Sequence, residues 1–226
     1  MRIDQLLLGS MLGDGCISTK GLSKHHRFSL AHSEKQLEYI TFKHEIFKQY
    51  KLDNKLSYYI IKNERYKNGE FREFRFKTKG HKIFDKYRML FYPEGKKIVP
   101  DRINKLEAEG LAIWFMDDGY RTGNNLKGAM FSTSGFSKED VIKLKDLLEN
   151  KFKLKCSIHA SNEIYIWVQS VPRLIELISP FIVPSMKYKV LNKSDELQES
   201  TGEPICSQVL GTPKKGSTTT GGVQSP

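Results

Sequence analysis

The chain has 226 residues, with 37 Lys and Arg against 26 Asp and Glu, which gives a formal net charge of +11 and a pI of about 9.4. The length suffices for one or two domains with a sizeable core, and the positive surplus favours a polyanion such as duplex DNA, although a basic protein without such a partner has the same charge. The sequence has no secretory signal, no apolar run that could span a bilayer, no P-loop for ATP-driven work and no cysteine pattern for a zinc site or disulfide scaffold.

The first predicted element is an apolar helix over residues 7–15, which ends in Asp14 and Gly15. A carboxylate in the last turn of a helix is unfavourable, because that end of the helix dipole attracts cations. A divalent cation would offset this, since hard cations take carboxylate oxygens as ligands. Gly15 suits a left-handed closing residue, and Gly9 and Gly13 leave room for the close approach of another helix.

A second helix is predicted to begin at Ser33, where Gln36 completes a capping-box pattern and apolar residues follow at helical spacing. Phe28-Ser29-Leu30 precedes this serine. The six histidines show no ligand spacing, since His25-His26 falls in a predicted strand and His44 on the helix. They therefore indicate no metal site of their own.

Two strands are predicted over residues 56–62 and 71–77. Alternation places Phe74 and Phe76 on one face of the second strand and basic side chains on the other. Such a ribbon fits the major groove of DNA, where Arg and Lys pair with guanine, and the alternative is a solvated strand face. The DNA-binding residues predicted in this region are Arg72, Arg75, Lys77 and Lys79.

A second apolar helix over residues 111–119 repeats the first, with Ala112 near its start and Asp118-Gly119 at its end. If the two helices pair, Asp14 and Asp118 meet at one metal centre. Asp117 is expected to satisfy a helix end or to receive a basic neighbour, without a catalytic role. The alternative is two unrelated buried helices that both end in Asp-Gly, a common turn dipeptide.

The repeat continues beyond this helix. Phe131-Ser132-Thr133 echoes Phe28-Ser29-Leu30, and Ser137 opens a helix as Ser33 does. Strands are predicted over residues 157–160 and 164–168. In the latter strand, helices are expected to cover the aliphatic side chains, which are Ile164, Ile166 and Val168. The alternative is that the other face turns inward, with Tyr165, Trp167 and Gln169.

Each half therefore reads helix, two strands, helix, two strands, helix, which predicts an α+β fold of two pseudo-symmetric αββαββα halves. We place the halves at residues 1–100 and 101–197. Residues 198–226 are rich in Gly, Ser, Thr and Pro and contain no aromatic residue. This composition cannot form a core and predicts a disordered tail.

The two helical segments with their terminal Asp-Gly resemble the signature of LAGLIDADG homing endonucleases, in the single-chain form with two copies. Leu12 and Gly13 depart from the signature at positions that the family does not use for chemistry. The resemblance implies a monomeric, site-specific double-strand DNA endonuclease, with antiparallel sheets forming a DNA-binding saddle over a long asymmetric target. It also implies Mg²⁺, with Mn²⁺ as a substitute, held by Asp14 and Asp118 and completed by the carbonyls of Gly15 and Gly119.

The resemblance further implies a lysine near the end of each half. Lys97 directly precedes Ile-Val-Pro at residues 98–100, and Lys189 follows Ile-Val-Pro at residues 182–184 within the segment 186–189. Lys96 is an alternative to Lys97. Five basic residues that follow the signature helices are expected to lie near bound DNA: Lys20, Lys24, Arg27, Arg121 and Lys127.

The alternative functions are an RNA maturase that binds intron RNA, a non-cleaving binding protein of the same fold, and a basic structural protein. The presence of both acids favours cleavage, because RNA binding alone gives no reason to hold two carboxylates together. The expected setting is intracellular and soluble, in a compartment that contains DNA, either the bacterial cytoplasm or an organelle, without membrane association.

Overall fold

The computed structural model describes residues 1–20, 23–62, 69–123, 125 and 127–191. The predicted tail, 198–226, lies outside these residues, and the division into halves at residue 100 stays a prediction. No helix in the described part of the chain combines the length and the apolar character needed to cross a bilayer.

Helices and strands follow each other in the predicted order, once in each half. The elements of the first half are α1 Ile3–Leu12, β1 Cys16–Ser18, β2 Arg27–Ser33, α2 Leu37–Gln49, β3 Leu56–Lys62, β4 Glu70–Lys77 and α3 Lys82–Phe91. Those of the second half are α4 Ala108–Asp118, β5 Gly119–Thr122, β6 Gly128–Phe131, α5 Lys138–Asn150, β7 Cys156–Ile158, β8 Ile164–Ile166 and α6 Val171–Ile178.

Each half forms a four-stranded antiparallel sheet, with the order β1-β2-β4-β3 in the first and β5-β6-β8-β7 in the second. The predicted α+β fold of two repeated halves is confirmed. Apolar side chains from both sheets and from the helices form one buried cluster. Alternation along β4 buries Phe76 and exposes Arg75 and Lys77, as predicted.

The helices α1 and α4 join the halves at very short range. A Cβ on Gly9 would lie 2.3 Å from the carbonyl oxygen of Gly110, and a Cβ on Gly13 would lie 2.4 Å from the Cβ of Asp117. Only glycine permits this approach, which confirms the predicted pairing of the two helices. Gly110, on the facing side of the contact, was not among the predicted contact residues.

The strand register corrects the predicted echo between the halves. Cys16 pairs with Ser29, and Tyr120 pairs with Met130. Since Cys16 and Tyr120 each lie two residues after a signature aspartate, Leu30 is equivalent to Phe131. Alignment of Phe28 with Phe131 was therefore wrong by two residues, because the loop between the first two strands is longer in the first half.

Two local predictions for the first half were also wrong, the cap at Ser33 and the strand at His25-His26. A 3₁₀ helix, Glu34–Gln36, precedes α2, and within the described residues Ser33 makes no capping hydrogen bond, whereas the Ser137 hydroxyl accepts from Asp140 N at 3.1 Å. His25 and His26 precede β2, because both rings bind Asp85 of α3 at 2.6 Å.

Ile164 and Ile166 are buried as expected, but Val168 is 49% exposed. The chain leaves the sheet after Ile166 and enters a 3₁₀ helix, Val168–Ser170. The Ser170 hydroxyl accepts a hydrogen bond from Lys155 N at 2.9 Å, which holds this turn against the neighbouring segment.

Candidate active site

The two signature acids follow neighbouring helices. Asp14 comes two residues after the end of α1, and Asp118 is the last residue of α4. Burial, followed by the negative charges of Asp14 and Asp117, raises the pKa of Asp118 to about 7. Burial and the charge of Asp117 also raise the pKa of Asp14. The negative charge of Asp14 therefore acts on Asp118, as expected for two helix ends that lie near each other.

One lysine from each half binds the backbone beside these acids. Lys97 Nζ donates to the carbonyls of Gly13 and Gly15, at 3.1 Å each, and Lys189 Nζ donates to the carbonyl of Asp117 at 2.8 Å. Burial lowers the pKa of both amines, while the nearby aspartates oppose this shift. Lys96 is exposed, so the geometry favours Lys97 over its neighbour.

The glycines that follow the acids do not have the predicted left-handed conformation. Gly119 has φ −84° and is extended, and within the described residues the glycines with positive φ are Gly69, Gly95 and Gly123. Glycine is required here by space. A Cβ on Gly15 would lie 2.6 Å from the Ser10 carbonyl oxygen, and one on Gly119 would lie 2.2 Å from the Phe115 ring.

Asp117 takes part in a buried network that the sequence analysis did not find. Its Oδ1 accepts from Lys43 Nζ at 2.6 Å and from the Tyr39 hydroxyl at 2.7 Å, and its Oδ2 accepts from the backbone N–H of Asp14 at 3.3 Å. Asp117 thus has the expected basic neighbour, and that neighbour comes from the other half. The side chains of Lys43 and Asp117 are fully buried.

His32 lies between this network and Asp14, and it was also missed. Its Nδ1 is 3.6 Å from Asp14 Oδ2, and its Nε2 is 3.5 Å from Lys43 Nζ. Burial, followed by the positive charge of Lys43, lowers the pKa of His32 to about 4. The imidazole is therefore neutral near pH 7. Its position on the inward side of β2, two residues after Leu30, was the available sequence signal.

The donor set suits a hard divalent cation. Asp14, His32 and Asp117 offer ligand atoms within 4.8 Å of one another. Both oxygens of Asp117 already accept hydrogen bonds, so Asp14 and Asp118 are the carboxylates left to hold a cation. Crowded carboxylates with raised pKa values are stabilised when a cation binds, because it favours their ionised form. The Gly15 carbonyl, which was predicted to be a metal ligand, already accepts a hydrogen bond from Lys97.

A cavity extends from Asp14 over the outer face of the first sheet. It is lined by Asp14, Cys16, Ser29, Ala31, Ser57, Tyr59, Arg75 and Lys77, among others. The Arg75 guanidinium lies 4.9 Å from the centre of the Tyr59 ring and forms an ion pair with Glu73. This face therefore presents basic side chains and an aromatic ring beside one of the two acids.

The second half has a corresponding cavity beside the other acid. It is lined by Asp117, Asp118, Gly119, Tyr120, Arg121, Ser132, Tyr188 and Lys189. Arg121 donates from Nε to the Gly128 carbonyl at 3.1 Å and from Nη1 to the Val190 carbonyl at 2.6 Å. Arg121 thus ties the segment after Lys189 to β5, in addition to lining the cavity.

The remaining predicted DNA contacts lie away from these two linings. Lys20, Lys24 and Lys127 are exposed in loops next to β1, β2 and β6, and Arg27 begins β2. Lys79 Nζ is 4.0 Å from Asp53. Arg72 pairs with Glu70 at 2.7 Å and with Glu34 at 3.9 Å, on the opposite face of β4 from Arg75 by strand alternation.

Known proteins are similar to this chain in both sequence and structure. Residues 4–174 match the LAGLIDADG DNA endonuclease family. The chain is 34% identical over 206 residues to cytochrome b mRNA maturase bI2 of Saccharomyces cerevisiae, which covers 85% of this chain and 48% of that protein. The chain thus spans about half the length of this relative.

Two further relatives are similar over most of both chains. The probable intron-encoded endonuclease 1 of Wickerhamomyces canadensis is 33% identical over 197 residues, 83% of each chain. The structure of the homing endonuclease I-WcaI bound to its DNA recognition sequence superposes with a TM-score of 0.73 at 32% identity, over 83% of this chain and 84% of that one.

Proposed function

Because this chain belongs to the LAGLIDADG DNA endonuclease family, we propose that it is a homing endonuclease that cuts both strands of a long, asymmetric DNA target with Mg²⁺. The observation that carries the proposal is that Asp14 and Asp118 each line one of two cavities, one on each half, and that the charge of Asp14 acts on Asp118. Two non-identical halves in one chain suit an asymmetric site and a monomeric enzyme.

Asp14 and Asp118 would hold Mg²⁺, with Mn²⁺ as a substitute, and the Gly119 carbonyl and, if Lys97 moves, the Gly15 carbonyl would add oxygen ligands. When bound, the cation supplies Lewis-acid stabilisation of charge on the phosphate. The two carboxylates orient water toward one phosphate on each strand. Their raised pKa values fit this role, since a bound cation would favour the ionised form of both carboxylates.

Lys97 and Lys189 would stabilise negative charge at the phosphates. Each amine is held beside an acid by backbone carbonyls, so the positive charge is in place before DNA binds. Burial lowers the pKa of both amines and reduces their hydration, which strengthens a contact with a phosphate oxygen.

DNA would lie along the outer faces of both sheets. Arg75 and Lys77 lie on the first face and Arg121 lines the second cavity, so basic side chains flank both acids. Five of the other predicted contacts would extend this surface into the neighbouring loops and past the end of β4: Lys20, Lys24, Arg27, Lys79 and Lys127. Arg72 lies on the opposite face of β4 and pairs with Glu34 and Glu70, so it is not part of this surface. This function places the protein in a compartment that contains DNA.

The test is cleavage of a joined-flank duplex, which is DNA made by joining the sequences on either side of the reading frame without the frame itself. Purified protein with Mg²⁺ is expected to make one double-strand break near the junction. If the reading frame does not interrupt the target, selection for cleavage from a library of randomised duplexes identifies the target instead. A protein that cuts neither the joined-flank duplex nor any duplex of the library contradicts the endonuclease proposal.

A second candidate is an RNA maturase, because the chain is similar to a cytochrome b mRNA maturase. The partner would then be the intron RNA that surrounds the reading frame. Stimulated splicing of that RNA, retained in Asp14→Asn and Asp118→Asn variants, would support this function. Cleavage and splicing assays on the same preparation separate the two candidates.

A further inference from the structure

The two acids have different surroundings, although the fold around them repeats. Lys97 donates to the carbonyl of Gly13, the residue before Asp14, and Lys189 donates to the carbonyl of Asp117, the residue before Asp118. Gly13 and Asp117 are therefore equivalent positions. Gly13 has no side chain, whereas Asp117 has a carboxylate.

That carboxylate supports the acid of the opposite half. Asp117 Oδ2 accepts from the backbone N–H of Asp14, while its Oδ1 binds Lys43 and Tyr39 of the first half. Gly13 provides the space for this crossing, because a Cβ there would lie 2.7 Å from Asp117 Oδ2. The main chain at Asp14 is thus held by a side chain from the last turn of the second signature helix.

His32 extends the support to the Asp14 side chain. A lysine ammonium group only donates hydrogen bonds, so the contact with Lys43 Nζ makes His32 Nε2 the acceptor. The ring hydrogen is then on Nδ1, which faces Asp14 Oδ2 at 3.6 Å. Lys43 holds both His32 and Asp117 in place.

The second half has uncharged residues at the positions equivalent to Lys43 and His32. The buried residues of α2 are Tyr39, Ile40, Lys43, Ile46 and Phe47, and those of α5 have the same spacing: Asp140, Val141, Leu144, Leu147 and Leu148. Leu144 is therefore equivalent to Lys43. By strand register Thr133 is equivalent to His32, and its hydroxyl donates to the Asn162 carbonyl at 2.7 Å.

We propose that His32 and the Lys43–Asp117 pair are positioning residues for Asp14, which makes the cutting of one DNA strand more dependent on them than the cutting of the other. This inference rests on the proposed function. It predicts that the two cleavage steps respond differently to substitutions in this network, even though Asp14 and Asp118 meet at one centre.

The test replaces the two network residues of the first half with their equivalents in the second half and, together with Lys43, removes the Asp117 carboxylate. One variant is His32→Thr, and the other combines Lys43→Leu with Asp117→Ala, which removes both charges and leaves no unpaired buried ion. The substrate is the intact duplex that the wild-type protein cuts, with a different dye at each 5′ end. The rate of cleavage in Mg²⁺ is then measured separately for each strand.

Both variants are expected to slow the same strand by roughly 10-fold to 100-fold, the usual effect of losing a residue that orients a metal ligand, and to accumulate duplex nicked in the other strand. His32→Asn is expected to restore part of the rate, since its amide N–H replaces Nδ1–H. Thr133→Val, the matched change in the second half, should leave the ratio of the two rates unchanged.

Equal slowing of both strands, or an unchanged ratio, overturns the inference while leaving the endonuclease function intact. Absence of cleavage by the wild-type protein contradicts the proposed function instead. Melting temperature and DNA binding in Ca²⁺ identify any variant that has lost its fold. If the double variant unfolds, His32→Thr and its rescue by His32→Asn decide the result.

Discussion

Gly13 leaves the space that the side chain of Asp117 fills, since a Cβ on Gly13 would lie 2.4 Å from the Cβ of Asp117. The two residues occupy equivalent places before the two signature acids. Only one of them can carry a side chain, and that side chain reaches into the first half of the molecule. The close contact between α1 and α4 therefore sets both the packing and the arrangement of the acids.

We expect Gly9→Ala to destabilise the protein by about 1–3 kcal/mol, the usual cost of overpacking a close contact. The new Cβ would lie 2.3 Å from the backbone oxygen of Gly110, which cannot move without separating the helices. Urea denaturation measures the loss. Gly135→Ala is the control, because nothing lies within 4 Å of a Cβ there, and an equal effect of both changes would contradict this account.

Asp14→Asn and Asp118→Asn are each expected to abolish double-strand cleavage and to retain binding of the target in Ca²⁺. The amide keeps the shape of the side chain but loses the charge that holds a divalent cation. Gel cleavage assays and binding titrations measure the two properties. Loss of binding together with a lower melting temperature would assign the acids a structural role instead.

Lys97→Gln and Lys189→Gln are expected to slow cleavage by roughly 10²-fold, the effect of removing one group that stabilises charge in the transition state. Lys96→Gln is the matched control, since Lys96 is adjacent and exposed. Single-turnover rates at saturating protein measure the chemical step. A slow Lys96 variant and a normal Lys97 variant would exchange the two assignments.

The raised pKa of Asp118 predicts a pH-dependent stability of the protein in EDTA. The folded state holds a proton on Asp118 up to about pH 7, whereas the unfolded state releases it near the ordinary value of 3.8. Between these values the folded state binds more protons, so this group destabilises the protein progressively as the pH rises. His32, whose pKa is lowered to about 4, acts in the opposite direction over the range up to 6.5.

Asp118→Asn isolates the contribution of Asp118. The melting temperature of the variant, relative to that of the wild-type protein, is expected to rise as the pH increases from about 4 to about 7. Scanning calorimetry in EDTA across this range measures the difference. A difference that does not vary with pH would show that Asp118 is ionised throughout.

Arg75→Ala is expected to weaken binding of the target by roughly 1–3 kcal/mol if the guanidinium reads a guanine. Arg75 lines the cavity that contains Asp14. Arg2→Ala is the control, because Arg2 pairs with Glu107 and Glu109 at the other end of α1, about 15 Å away along the helix. An equal loss of affinity for all sequences would mark Arg75 as a phosphate contact.

The sequence located the groups whose signals are local. The Asp-Gly ends of two apolar helices predicted Asp14 and Asp118 as the candidate acids. The family resemblance predicted a lysine in each half, and the Ile-Val-Pro context selected Lys97 and Lys189 as the candidates. Strand alternation separated Phe76 from Arg75 and Lys77. These predictions needed no knowledge of how the halves pack.

The buried network could not be predicted in the same way. Lys43 and Tyr39 lie 74 and 78 residues from Asp117 in the sequence, and only the crossing of α1 and α4 brings them to its carboxylate. A lysine on the inward side of a helix is normally assigned to solvent. The left-handed glycines were predicted from local preference, whereas contacts with Ser10 and Phe115 determine those positions.

The crossing of Asp117 into the first half also restricts how this chain could evolve. A symmetric dimer of two first halves would place Gly13 at both helix ends and would bury Lys43 without a counter-charge, which costs several kcal/mol. A first half without this partner would therefore lack the counter-charge that the buried Lys43 ammonium group has in this chain.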